Sequence, residues 1–413
     1  GCFVKLYDRK PEKIGPAQHS DKFGELVCSN SLKAQRVENA SGLLKEEMRL
    51  LDSLILSCAQ ATNVPAGGAL AVDREAFAAE VTRRIRSMPG IETVCEEVSR
   101  IPVEQPCIVA SGPLTDGELA ADIARVLCEE QCYFYDASAP LIAADSIDFG
   151  IAFRSARYDR GGDYVNCPMD EDQYRAFYEQ LIAAETVPLR ENEPLALFEG
   201  CMPVEAMAKR GYRTLAFGML KPVGLIDPRS GKRPFAVLQL RQDNAQGTVY
   251  NMVGFQTNLK FPEQKRIFSM IPGLSKAEFL RYGVMHRNTF INGPRHLNRN
   301  YQCREHPMLF FAGQITGVEG YVESASSGLV AGLSAAALLA GQPMPDFSRR
   351  TAIGALCHYV GHYNGPDYQP MNINFGIIEP LTTRIRNKQQ RYSEVARRAL
   401  EEIAAGFAGQ SAR

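Results

Sequence analysis

Two thiols stand in settings unlike those of the other cysteines of this chain. Cys28 lies in ELVCSNS and Cys201 in FEGCMPVE, each flanked by polar, turn-forming residues. A thiol in apolar surroundings is inert, whereas one beside a helix start or a basic group can ionise and attack. Spacing alone favours an inert, structural thiol at each position, with the reactive reading as the alternative. A second candidate is FAGQITGVEGYVES, Phe311 to Ser324, which contains Gln314 and Tyr321. Glycines leading into a helix present unpaired N–H groups to an anion or a carbonyl-rich ring. Gly313, Gly317 and Gly320 would let the backbone lie flat against a flat ligand; the competing reading is close helix–strand packing. Ser111 and Gly112 follow the apolar run PCIVA, where a strand end can pass beneath a bound dinucleotide. Asp8 closes the alternating run VKLYD. A dinucleotide fold uses an acid there on a ribose hydroxyl, and a solvated strand end looks the same. His286 and Arg287 in GVMHRNTFIN are polar and placed for a ligand, although a single histidine is more often structural.

The elements that must position these residues follow from periodicity. Leu44, Met48, Leu51, Ile55 and Cys58 recur at helical steps and predict one amphipathic helix. Asp73 suits the N-cap of a second helix carrying Phe77, Val81 and Ile85 on one face. IETVCEEVSRI and PCIVASG read as strands, the second apolar throughout, as in a buried parallel strand. Thr115 and Glu118 have the spacing of a capping box before a helix with Leu119, Ile123 and Val126. Strand and helix thus alternate, as in α/β folds. From about residue 133 the chain turns richer in aromatics, prolines and short strand-like runs such as FAVLQL. Near residue 308 the α/β character returns, with a buried strand at Leu309 to Ala312 and a helix of Ala, Ser and Gly. A polar loop, QPMNINFG, and a basic helix near RIRNKQQRYSEVARRALEEI follow. The prediction is a Rossmann-like α/β domain, residues 1–112 and 303–413, split by an inserted α+β domain at 113–302.

Composition sets bounds. With 413 residues, 45% hydrophobic and 23% charged, the chain is an ordinary globular protein of two or three domains. A net charge of -1 excludes a whole-chain basic field for nucleic acid. It leaves room for a local basic face: Arg384, Arg386, Lys388, Arg391, Arg397 and Arg398 could meet phosphates, diluted by Glu394, Glu401 and Glu402. Eleven cysteines occur without a C-x-x-C pair, and the closest pair, Cys128 and Cys132, has no histidine cluster, so no metal site is expected. So many free thiols suggest a reducing cytoplasm. No export signal is read, nor an apolar run near the roughly 18 residues of a spanning helix.

DKFGELVCSNSLK, VPAGGALAVDR, SARYDRGGDYVNCPM, FEGCMPVEAMAKRG, KPVGL, LRQDNAQGTVYNMVGFQT, YGVMHRNTFIN, FFAGQITGVEGYVESASSG and QPMNINFG together resemble the folate- and flavin-dependent tRNA (uracil-5-)-methyltransferases nearly end to end. The resemblance implies methylation of carbon 5 of a T-loop uridine. Methylenetetrahydrofolate would give the carbon, reduced FAD the hydride, and NADH or NADPH would recharge the flavin. It implies Cys201 as the nucleophile adding to carbon 6 and Cys28, near the flavin, as the base taking the carbon-5 proton, with the two roles exchangeable. Asp8, Ser111, Gly112, Gly313, Gln314, Gly317, Gly320, Tyr321, His286 and Arg287 would serve flavin or folate, and the target base would leave its stack. In this family a glycine-rich phosphate loop precedes the strand matched by GCFVKLYD, so the chain is expected to lack that first strand and loop and to hold flavin weakly. Ser111 departs from the family's usual threonine but keeps the hydroxyl. Two rivals remain: the same chemistry on ribosomal RNA, and a non-catalytic RNA- or folate-binding remnant.

Overall fold

The computed structural model describes residues 2–407 except 16, 131, 156, 158–161, 189–201 and 366–367. The chain opens with β1 (Val4–Asp8), β2 (Ser31–Ala34), α1 (Ala40–Leu50) and α2 (Leu54–Ala61). The predicted single helix is two, because Asp52 adopts a left-handed φ of 54°. Ser53 then restarts the helix, its hydroxyl accepting from Leu56 N. Both helices pack on one core, burying Leu44, Met48 and Cys58, so the apolar period runs on across the break. β3 (Asn63–Val64) and β4 (Ala69–Val72) join β2 in a small sheet ordered β2-β4-β3. α3 (Arg74–Ser87) starts at Asp73, whose carboxylate accepts from Ala76 N at 2.9 Å, and it buries Phe77 and Val81 as expected.

β5 (Ile91–Cys95) pairs in parallel with β1, Asp8 opposite Cys95. β6 (Cys107–Val109) and α4 (Gly117–Leu127) follow. β6 is less buried than predicted, with Ile108 39% exposed. The capping box does not form: α4 starts from Asp116, and the Thr115 hydroxyl instead lies 2.7 Å from both Ser111 Oγ and Gly112 O. Thr115 is closing the turn in front of the helix, which leaves it unable to cap.

The chain then leaves through β7 (Cys132–Ala137) into β8 (Leu141–Ala143), β9 (Phe153–Arg154), β10 (Tyr164–Met169), α5 (Glu171–Ile182), α6 (Val204–Ala208), α7 (Thr214–Phe217), β11 (Ala236–Gln242), β12 (Val249–Met252), α8 (Phe261–Phe268) and β13 (Phe279–Arg281). Six of these strands make one antiparallel sheet, ordered β13-β8-β12-β11-β10-β9. Its buried face has a separate core around Tyr174, Phe177, Tyr250, Phe255 and Phe268. β14 (Met285–Phe290) brings the chain back, antiparallel to β7 with Met285 opposite Ala137 and Phe290 opposite Cys132.

α9 (Gly293–His296) leads to β15 (Leu309–Phe311), which pairs in parallel with β6. α10 (Tyr321–Leu339), α11 (Ala352–His362) and α12 (Lys388–Phe407) complete the first core. α10 corrects one expectation, since its 19 residues are long and apolar enough to cross a membrane by length and composition. Its small residues read as packing material, and Val322, Val330, Ala331 and Ala335 are indeed buried in the core. Glu47, fully buried on α1, accepts from Ala352 N at 2.7 Å and Ile353 N at 2.8 Å, and so caps α11. Burial pushes its carboxyl up to about 8 against the pull of those two bonds.

Candidate functional site

Two glycine turns meet at the C-terminal ends of the parallel pair β6–β15, where ligands settle on open α/β sheets. Ala312 N donates to Val109 O at 2.9 Å, setting Ser111–Gly112 beside Gly313. Gly112 and Gly313 have φ of 79° and 84°, and a Cβ on either would meet nothing within 4 Å among the described residues. Open space before two left-handed glycines is a cradle for a flat ligand. Gly317 and Gly320 do not belong to it. A Cβ at Gly317 would lie 2.3 Å from Tyr368 Oη, and one at Gly320 2.5 Å from Glu323 Oε2, so these two glycines serve the protein's own packing. Gln314 likewise turns inward, its amide nitrogen 2.9 Å from both oxygens of Glu319. α10 starts at Gly320, which has no side chain to cap it, leaving first-turn N–H groups for an acceptor. Asp8 is partly buried and accepts from Lys10 N at 2.9 Å. Arg9 Nη1 bonds Asp116 Oδ1 at 2.7 Å, which holds the Asp8 turn against the segment that carries Gly112.

The Cys28 loop docks on the first residue of α10. Cys28 Sγ is 3.2 Å from Tyr321 Oη, and Cys28 N donates to the same oxygen at 2.9 Å. Arginines from distant elements hold the loop. Arg74 forms a buried fork with Asp243, Nε to Oδ2 and Nη2 to Oδ1 both at 3.0 Å, and also bonds the Leu26 carbonyl. Arg241 donates to Asn30 Oδ1 at 2.9 Å and Ser29 Oγ at 2.8 Å. Arg281, at the end of β13, differs: its Nε and Nη2 are buried and have no hydrogen-bond partner among the described residues. Burial and the neighbouring Arg74 lower its pKa, while Asp243, Tyr321 and Cys28 are close enough to oppose them.

Burial, with Asp136 adding to it, pushes the Cys28 thiol up to about 11; the Tyr321 bond and Arg74 pull the other way. The thiol therefore keeps its proton at neutral pH. Burial likewise raises Tyr321 well above the ordinary phenol range. Glu319, 5% exposed, is pushed up to about 8 by burial and then by Asp136.

His286 and Asp136 are direct cross-strand partners on the β7–β14 ribbon, with Nε2 and Oδ2 3.7 Å apart. Burial lowers the imidazole pKa and Asp136 opposes, leaving a neutral ring whose Nδ1 is buried with no hydrogen-bond partner among the described residues. Arg287, the next residue, faces the other side of the ribbon, its Cζ 4.2 Å over the Tyr133 ring. The structure thus brings together Cys28, Tyr321 and the Asp136–His286 pair, and separates Arg287 from them. Cys201 lies outside the described residues. The segment just after it is anchored: Met202 is buried, Val204 N donates to Gln256 O at 2.7 Å, and Glu205 accepts from Asn258 N and Thr257 Oγ1.

Sequence reasoning missed Arg74, Asp136, Arg241, Asp243, Arg281 and Glu319. A charge inside an apolar strand, as in CYFYDA or AVLQLRQ, is the signal that would have found some of them, because a buried charge needs a partner. Among the described residues no group of three or more His, Cys, Asp or Glu is placed to hold a metal ion.

The fold is shared with the crystal structures of Aquifex aeolicus GidA. The form I structure aligns with a TM-score of 0.66 over 98% of this chain and 72% of that one, and form II with 0.65 over 94% and 68%. At 14% identity the likeness is one of fold. Two sequence matches go further. The family model for glucose inhibited division protein A matches residues 1–343. The methylenetetrahydrofolate--tRNA-(uracil-5-)-methyltransferase TrmFO of Pelotomaculum thermopropionicum is 58% identical over 404 residues, covering 98% of this chain and 92% of the relative, and that of Bacillus pumilus 56% identical over 98% and 93%. The chain belongs to the glucose inhibited division protein A family and, within it, to the methylenetetrahydrofolate--tRNA-(uracil-5-)-methyltransferases.

Proposed function

We propose that this protein is a folate- and FAD-dependent enzyme that methylates carbon 5 of a T-loop uridine in tRNA, working in the cytoplasm. The observation that carries the reading is the docking of Cys28 on Tyr321, which joins a thiol to the helix that opens beside the glycine cradle. Support for the substrate comes from relatives named for this reaction at 56–58% identity. The organisation proposed is a split flavin domain, 1–112 and 303–413, around the insert 113–302, with the second core drawing on residues 142–277.

The cradle fits a flavin, because the space before Gly112 and Gly313 is open and the start of α10 offers N–H donors. Asp8, Ser111, Gly112 and Gly313 would hold it. FAD, recharged by NADH or NADPH, supplies the hydride that completes the methyl group. Carbon 5 of uracil becomes nucleophilic only after addition at carbon 6, and Cys201 makes that addition. The enolate formed attacks the methylene carbon of methylenetetrahydrofolate; the carbon–nitrogen bond to tetrahydrofolate breaks as the carbon-5 proton leaves, and Cys201 is released from carbon 6 when the methyl group is completed. Cys28 then takes the carbon-5 proton, and to do so its thiol must first lose its own. Tyr321, hydrogen-bonded to Sγ, and Arg74 favour that loss, while Asp136 and Glu319 resist it. His286, whose pKa burial lowers, would offer a ring nitrogen for a folate or flavin contact.

The test is incubation with FAD, methylenetetrahydrofolate, NADH and an unmodified tRNA transcript, with nuclease fragments read by mass spectrometry. A methyl group on one T-loop uridine is expected. Methylation of ribosomal RNA fragments alone would replace the substrate, and methyl transfer surviving Cys201→Ala would sink the nucleophile.

A further inference from the structure

We propose that the basic cavity beneath the start of α12 is a second RNA site, which takes backbone phosphates of the tRNA away from the reactive uridine. This rests on the tRNA-modifying reading above. The cavity has a volume of about 450 Å³, and Thr382, Thr383, Arg384, Arg386, Arg391 and Tyr392 line it, with Glu379 its one acidic residue.

Of the six cations that the sequence places here, Arg391 reaches the Ile385 carbonyl at 3.5 Å and the other five divide into two groups. Arg397 is spent on Glu394 and Glu401, and Arg398 on the carbonyls of Pro380, Glu379 and Arg350. Arg384, Arg386 and Lys388, by contrast, make no hydrogen bond or ion pair among the described residues. Tyr392 holds the cavity's edge. Phe375 stacks on its ring at 4.0 Å, while Arg391 Cζ and Lys388 Nζ lie 5.4 and 5.6 Å from the ring centre. A ring positions these cations without neutralising them. Planar guanidinium forks beside two hydroxyls match phosphate oxygens. In a chain of net charge -1, unneutralised cations around one cavity are a local field for a polyanion.

The cavity is also one loop from the cradle. Phe375 belongs to QPMNINFG, in which Asn372 meets Lys33 and Ile373 N donates to Glu323 Oε1 at 3.2 Å, Glu323 being in the first turn of α10. An RNA strand seated at Tyr392 is thereby held near the helix that opens the candidate active site.

The experiment compares the Arg384→Gln/Arg386→Gln double variant with the parent and with Arg397→Gln, by titrating a tRNA transcript at several salt concentrations. The double variant should bind roughly tenfold more weakly, and its slope of log affinity on log salt should shrink by about 1.5, two phosphate contacts' worth. KM for tRNA should rise while kcat at saturating tRNA and flavin content hold, and Arg397→Gln should match the parent. An unchanged affinity and slope would overturn the cavity's role and leave the methyltransferase reading standing. If the double variant binds tRNA normally but loses an acidic protein partner, the site belongs to that partner instead. A parent chain that binds no tRNA overturns both readings.

Discussion

The interior arginines around Cys28 and the exterior ones just before α12 are the same residue type under opposite rules. Inside, Arg74 and Arg241 are each committed to fixed groups, a carboxylate or an amide and a hydroxyl, because a guanidinium removed from water must recover its hydrogen bonds. Outside, solvent satisfies the charge, so Arg384 and Arg386 can wait without partners. Arg281 breaks the interior rule, with two buried N–H groups left over beside the thiol. The contrast teaches that commitment rather than charge separates arginines that build a site from those that meet a ligand.

Several measurements would break or sharpen this contrast. The largest effect is expected at Arg74→Ala, which strands buried Asp243; about 3–5 kcal/mol of stability should be lost in urea unfolding. A loss under 1 kcal/mol would mean the fork is not structural. Next comes Cys28 itself. With its pKa at about 11, only roughly a thousandth of it is thiolate at pH 8. Iodoacetamide should therefore label it about a hundredfold more slowly than exposed Cys128, with the rate rising about tenfold per pH unit to pH 10. Equal rates at pH 8 would show that the interior arginines suffice to ionise it.

A smaller effect is expected from the buried acids. Glu47 and Glu319 are raised in the fold to about 8, so the stability linked to their protons is complete below about 4.5 and is lost as pH climbs through 8. The melting temperature should fall from pH 5 to pH 9, and Glu319→Gln should flatten that fall. A profile that rises with pH would reverse the assignment. Arg281→Leu should change stability by less than about 1 kcal/mol, since its buried Nε and Nη2 have no hydrogen bond to lose among the described residues. Methyl transfer should nonetheless drop at least roughly tenfold if those donors face a ligand. Arg397→Gln, on the exposed helix face, should leave the melting temperature where it was.

Local chemistry was legible in the sequence and through-space chemistry was not. Asp73 announced its helix because an N-cap acts within three residues. The period from Leu44 to Cys58 correctly marked a buried face but concealed the break at Asp52, since both helices serve one core. Gly112, Gly313, Gly317 and Gly320 look alike as letters. Only Tyr368 and Glu323, brought in by the fold, divide them into two that face open space and two that fill it. Arg74 and Asp243 are 169 residues apart, a distance at which no spacing rule operates. Cys28 stood out by its polar flanks, but nothing in ELVCSNS foretold its bond to Tyr321.

The β7–β14 ribbon has a topological consequence. Where the chain departs at Ser138 it also returns at Val284, Ser138 N donating to Val284 O at 2.9 Å and Val284 N to Ser138 Oγ at 3.0 Å. A segment whose two ends clasp each other joins its host through one short neck. The excursion brings its own core, yet Arg241 and Asp243 reach back from it to Asn30, Ser29 and Arg74, so a neck and a latch together fix its seat. Replacing residues 138–284 with a tight turn would close β7 and β14 into a plain hairpin, and it would also strip the Cys28 loop of Arg241 and leave Arg74 without Asp243.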